Sequence, residues 1–182
     1  MERVKLGVPV DFCVFVDYAH TPDALENLLK TACGFRREHQ RIVLLFGCGG
    51  DRDKTKRPQM ASVATRYADM VYITSDNSRT ENPSDIISDI LVGIDETKDY
   101  QVILDRAVAI ETAVRTAKAG DIILISGEEV PVTEVERNDH GTVLINGGLD
   151  EGGLDLATDN DGIYYEQGYS DMKSWYLVGE AE

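Results

Sequence analysis

Three short stretches of this 182-residue chain hold the side chains best suited to chemistry. "FGCGGDRDKTKRPQM" runs from Phe46 to Met60, "TSDNSRTENP" from Thr74 to Pro83, and "VDYAHTPD" from Val16 to Asp23. In the first, Gly47, Gly49 and Gly50 let the backbone turn sharply, and Asp51, Arg52, Asp53 and Lys54 follow. A helix beginning near Pro58 would offer unpaired N–H groups to an anion. The second presents Asp76, Asn77, Arg79 and Glu81. A guanidinium takes a carboxylate in a two-point fork, and a carboxamide both donates and accepts. Two arginines, an amide and several acids therefore suit a zwitterion such as an amino acid. The same residues also describe a surface salt-bridge network, and residue types alone leave both open. The third stretch puts Asp17, Tyr18 and His20 between an apolar run and a Thr-Pro helix start, where His20 serves either a ligand or the surface.

The elements that must position these residues alternate regularly. Apolar runs at Phe12–Asp17, Arg41–Phe46, Met70–Thr74 and Asp121–Ser126 read as strands, with a short one at Gln101–Leu104. Between them lie helical patterns at about Pro22–Cys33, Pro58–Tyr67, Pro83–Ile94 and Ala107–Ala117, the first with Thr21 as N-cap and Leu25, Leu28 and Leu29 on one face. Such alternation predicts an α/β fold: a Rossmann-like, mainly parallel sheet with helices on both faces. All three stretches then leave strands at their carboxyl ends, where open α/β sheets hold ligands.

After Ser126 the pattern changes. Short β-type runs at Val130–Val135, Thr142–Ile145, Ile163–Tyr165 and Trp175–Val178 are separated by Asn-Gly, Gly-Gly and Asp-Gly turns. They predict a small antiparallel β-module over 128–182, following an α/β domain over 1–127. Asp150–Asp161 reads as its least ordered part. His140, Tyr164, Tyr165, Trp175 and Tyr176 read as core filling in so small a module. The run Asp159-Asn160-Asp161-Gly162 lacks the twelfth-position glutamate of an EF-hand, so calcium is a poor reading.

Composition excludes several classes. The net charge is −15, and residues 128–182 carry 14 acidic and 2 basic side chains, so about −12 lies there. That acidity argues against nucleic-acid partners held by phosphate neutralisation. Cys13, Cys33 and Cys48 form no CxxC pair and have no histidines at ligand spacing, which disfavours zinc or a disulfide framework and fits reduced thiols. No 18-residue apolar run and no signal-like start appear, so the expectation is a cytoplasmic protein with no membrane partner. No GxxxxGK(S/T) loop for nucleotide phosphates occurs anywhere.

Together "DYAHTPDAL", "FGCGGDRDKTKRPQMA", "SDNSRTENPSDIISDIL" and "GDIILISG", in this order, resemble the C-terminal domain of the Mur ligases over about residues 1–127. The resemblance is strongest to the branch that adds the third residue of the peptidoglycan stem peptide. It implies an ATP-dependent, magnesium-requiring ligase of the bacterial cytosol, in which a substrate carboxylate is phosphorylated and the incoming amine attacks. It further implies that Asp17, Tyr18 and His20 face the ATP or ADP bound to a central domain. Arg52, Asp76, Asn77, Arg79 and Gly127 then correspond to the amino-acid site. Retention of Asn77 and Arg79 points to meso-diaminopimelate, whose distal carboxylate matches a guanidinium as lysine cannot.

The departures from the family are specific. Ser78 stands where the family box has proline. Gly127-Glu128-Glu129 stands where the family continues Gly-Lys-Gly-His-Glu. No central ATPase domain is present in the sequence, so the chain is expected to be catalytically incomplete by itself. Three readings follow: a fragment or fusion of a larger ligase, a stand-alone non-catalytic binding module of phage or mobile-element origin, or an interaction protein on a Mur ligase-like scaffold. The first two require Arg52, Asn77 and Arg79 to meet within one carboxylate's reach.

Overall fold

The computed structural model describes residues 1–6, 10–127 and five strand segments beyond them, 132–137, 143–148, 158–159, 162–163 and 173–179. The order begins with β1 (Glu2–Arg3), β2 (Lys5–Leu6), β3 (Cys13–Asp17), α1 (Pro22–Phe35), β4 (Ile42–Phe46), α2 (Lys56–Tyr67) and β5 (Met70–Ile73). It continues with α3 (Pro83–Leu91), β6 (Tyr100–Val102), α4 (Arg106–Arg115) and β7 (Ile122–Ser126). Beyond them lie β8 (Val132–Arg137), β9 (Val143–Gly148), β10 (Thr158–Asp159), β11 (Gly162–Ile163) and β12 (Lys173–Gly179).

Five strands form a parallel sheet in the order β3-β7-β4-β5-β6, and β1 adds an antiparallel edge beside β3. The central strands β4 and β7 are buried along their whole length, as Ile42-Val-Leu-Leu-Phe46 and Ile122-Ile-Leu-Ile125 require. Alternate residues serve opposite faces. Ile42, Leu44, Phe46, Val71, Ile73, Ile122 and Leu124 pack against Leu25 and Leu29 of α1, Met60 and Ala64 of α2, and Ile86 and Ile90 of α3. Val14, Val16, Val43, Leu45, Tyr72, Ile123 and Ile125 pack against Ala109, Ile110 and Ala113 of α4. Three helices thus cover one face and one the other, since β6 returns to β7 across the sheet.

Each helix begins where the sequence signals it. Thr21 accepts from Ala24 N–H with Pro22 in the first turn, Asn82 accepts from Ser84 N–H before Pro83, and Asp105 accepts from Val108 N–H. These caps satisfy donors that a helix start leaves without partners. Helix α2 differs: it starts at Lys56 and its Thr55 makes no side-chain cap. Helix α3 stops at Leu91, short of the expected Ile94. Strands β1 and β2 were not legible, because two-residue strands show no period.

A second sheet has the order β12-β9-β8-β2. Its β8, β9 and β12 run antiparallel as expected, but β2 joins β8 in parallel, so residues before the α/β core contribute an edge. A third, two-stranded sheet pairs β10 with β11. The expectations for Glu128, Glu129, His140, residues 150–157, the Asn160–Asp161 pair and the aromatic side chains of the C-terminal region lie outside the described residues.

Candidate functional site at the carboxyl rim of the sheet

Because β3, β7, β4, β5 and β6 are parallel neighbours, every loop that follows them emerges along one edge. Asp17–Thr21, Gly127, Gly47–Thr55, Thr74–Asn82 and Ile103–Asp105 therefore form one continuous rim. The three chemical stretches and Gly127 all lie on it.

Hydrogen bonds sew this rim together. At one end Gly127 N–H donates to Asp17 O at 3.3 Å, and Ser126 Oγ donates to Ala19 O at 2.6 Å. Asp17 Oδ1 accepts from Ala19 N–H at 2.9 Å and its other oxygen pairs with the Met1 ammonium. These contacts turn Tyr18 outward, 65% exposed, with the exposed His20 ring edge-on to it at a centroid separation of 4.9 Å. His20 Nδ1 lies 2.8 Å from Tyr18 O. The pair presents an aromatic face and a titratable ring nitrogen to whatever approaches this end.

At the middle of the rim, Arg106 leads α4 and is buried, donating to Ser75 O and to Ser126 O, each at 3.3 Å. One guanidinium so ties the ends of β5 and β7 across β4. Gly127, at φ 148°, leaves no room for a side chain: a Cβ there would sit 2.5 Å from Asp76 Oδ2 and 3.2 Å from Arg106 Nη2. Asp76 is itself buried and accepts from Asn77 N–H at 2.9 Å. It is therefore built into the floor of the rim rather than exposed on it.

At the other end the glycine loop and the Asp76–Glu81 loop lie against each other. Gly50 N–H donates to Asn77 O at 2.8 Å, and Arg79 Nη1 donates to Gly50 O at 2.9 Å. A Cβ on Gly50 would lie 1.9 Å from Ser78 O, so backbone meets backbone here. Asp51 accepts from the Thr80 hydroxyl at 2.7 Å and its own N–H donates to Glu81 at 2.7 Å. Behind them Arg57, 1% exposed, donates to both oxygens of Glu81, to Asp89 of α3 and to Gly49 O. Lys54 adds an ion pair to Glu81 at 2.9 Å. The Arg57 fork, then Lys54, then the Asp51 N–H hold the Glu81 carboxyl far below the usual carboxylate range.

The loops bearing Arg52, Asn77 and Arg79 are thus joined at one place. Arg52 is exposed two residues beyond Gly50, Asn77 is half-buried, and Arg79 is exposed with its guanidinium across the Gly50 carbonyl. Arg57 and Arg106 were missed by sequence reasoning. Both look like ordinary surface cations in the sequence, and only burial marks them. Cys48 is buried beneath the glycine loop beside Met60, where desolvation pushes its thiol up to about 12 and keeps it inert.

A parallel α/β sheet with helices on both faces, its polar loops gathered on the carboxyl rim, defines a domain of the doubly wound class. Residues 1–129 match the family model described as "Mur ligase, glutamate ligase domain", and the chain belongs to that family as a Mur ligase C-terminal domain. It is similar to the UDP-N-acetylmuramoyl-L-alanyl-D-glutamate--2,6-diaminopimelate ligase of Trichormus variabilis, 53% identical over 128 residues, which are 70% of this chain and 25% of that protein. The Clostridioides difficile protein of the same name is 53% identical over 116 residues, 63% of this chain and 24% of the relative. A solved structure of a ligase of that name superposes with a TM-score of 0.64 at 42% identity, covering 70% of this chain and 26% of the other. The structure of E. coli FolC in complex with ADP, at a TM-score of 0.50 and 20% identity over 67% of this chain and 27% of that one, shares the fold alone. The chain spans about a quarter of the length of the curated relatives it matches.

Proposed function

We propose that this chain is the amino-acid-holding domain of a peptidoglycan-precursor ligase, and that its ligand is meso-diaminopimelate. The observation that carries the reading is the joining of the glycine loop to the Asp76–Glu81 loop, which brings the backbones bearing Arg52, Asn77 and Arg79 to one stretch of rim. A distal amino-carboxylate group offers a carboxylate to guanidinium donors and an ammonium to carbonyl and carboxamide oxygens. Lysine offers only the ammonium. Gly127 and Asp76 form the floor against which such a guest would rest.

Asp17, Tyr18 and His20 supply the nucleotide-facing end, where the exposed Tyr18 face suits a base or ribose of ATP or ADP. Activation of the acyl group, with its magnesium, belongs to the rest of a full ligase in a bacterial cytoplasm. This chain's share is to bind the amino acid and hold its amine toward that centre. Isolated, it is expected to turn over no ATP, because its sequence holds no GxxxxGK(S/T) loop to position the phosphates.

The test is titration of the full chain with meso-diaminopimelate and, separately, with lysine, followed by calorimetry or NMR shifts. The expected dissociation constant for diaminopimelate is about millimolar or weaker, or roughly −4 kcal/mol, because only part of the family site is present. Lysine is expected to bind measurably less well. Equal affinity for the two would overturn the assignment of ligand.

A further inference from the structure

Two of the residues on this rim adopt a backbone conformation that side chains disfavour. Asp51 has φ 53° and Arg79 has φ 48°, both in the left-handed region. Neither is glycine, and asparagine or aspartate tolerates that region better than arginine does. Asp51 directly precedes Arg52, and Arg79 is itself a candidate ligand. The two strained positions therefore set the directions in which both arginines leave the backbone. Strain of this kind persists only where surrounding contacts over-determine it.

Glu81 is where those contacts meet. It takes the Asp51 N–H at 2.7 Å, both Arg57 Nη groups at 3.0 and 2.8 Å, and Lys54 Nζ at 2.9 Å. In return the Asp51 side chain takes the Thr80 hydroxyl at 2.7 Å and the Thr80 N–H at 3.3 Å. The clasp is reciprocal: each loop's carboxylate accepts from the other loop's backbone. Glu81 N–H donates to Ser78 O at 3.0 Å, closing the turn that contains Arg79. Arg57, almost wholly buried, anchors the arrangement to α3 through Asp89 and to the glycine loop through Gly49 O.

We propose that Glu81, backed by Arg57, is the positioning residue of this rim, holding Asp51 and Arg79 left-handed so that Arg52 and Arg79 serve one guest. The proposal rests on the ligand reading above for its guest, though the clasp itself does not depend on it. Glu81 touches no substrate in this scheme. It determines selectivity by fixing the spacing of two guanidinium groups whose own loops are otherwise glycine-rich and polar. A carboxylate is needed because one group must accept from a guanidinium fork, an ammonium and a backbone N–H together. A carboxamide can accept from the N–H but loses the charge that holds Arg57 and Lys54.

The experiment compares the full wild-type chain with Glu81→Gln and Glu81→Ala by amide hydrogen exchange and by titration with meso-diaminopimelate and lysine. In Glu81→Ala the Gly50, Asp51 and Thr80 amides are expected to exchange at least tenfold faster while Leu44 and Leu124 in the central strands stay protected. The preference for meso-diaminopimelate over lysine is expected to disappear, with Glu81→Gln intermediate in both readouts. Unchanged rim exchange in Glu81→Ala overturns the proposal, as does a retained preference for diaminopimelate. Uniformly faster exchange, core amides included, also overturns it by showing a merely structural role. A wild-type chain with no preference refutes the ligand reading instead, and the exchange comparison then decides the clasp alone.

Discussion

Replacing Gly50 by alanine tests whether the two loops are held by direct backbone contact. No special φ is involved at Gly50; the demand for glycine comes from the neighbour. The new methyl carbon would sit 1.9 Å from Ser78 O, whereas such contacts essentially never fall below 3.0 Å, so the loops must part by about 1.1 Å. Moving apart by that distance stretches the Gly50 N–H to Asn77 O bond from 2.8 Å and the Arg79 to Gly50 O bond from 2.9 Å beyond useful range. Two hydrogen bonds are worth about 1 kcal/mol each, and leaving buried backbone groups without partners adds about 1–2 kcal/mol. The expected loss is therefore about 3–4 kcal/mol, or a fall of roughly 6–16 °C in Tm for a chain of this size. Urea denaturation with an unchanged slope would report it, and diaminopimelate titration should show weakened binding. A variant with the wild-type urea midpoint would refute the close-approach argument.

Two further outcomes follow from the same rim. Gly127→Ala should cost about 1–3 kcal/mol, because φ 148° disfavours a side chain and the added carbon would press on Asp76 and Arg106; an unchanged urea midpoint would contradict this. The Glu81 carboxyl titrates lower in the folded chain than in the unfolded one, so its contribution is complete above the ordinary glutamate value of about 4.3 and lost as pH falls below it. Between pH 5 and pH 3 the urea midpoint of the wild type should therefore fall more steeply than that of Glu81→Gln, and parallel curves would show that Glu81 is not the responsible group.

The sequence by itself determined the sheet, the helices and the place of the rim. Fully apolar runs such as Ile122-Ile-Leu-Ile125 have no alternative to burial between two helical layers, and Thr21-Pro22, Asn82-Pro83 and Asp105 mark helix starts through local capping alone. The motifs with Arg52, Asn77 and Arg79 could be placed at strand ends for the same local reason. Tertiary structure decided everything that depends on residues far apart in the chain. Asp76, expected at the amino-acid site, is buried beneath the rim; Arg57 and Arg106, which the sequence does not single out, are buried ties between loops. The two-residue strands β1 and β2 exist only because partners far along the chain complete their hydrogen bonds. Spacing along a chain reveals which side chains share an element, whereas the partner of a buried charge is chosen by the fold, where an ion without compensation is too costly to remain.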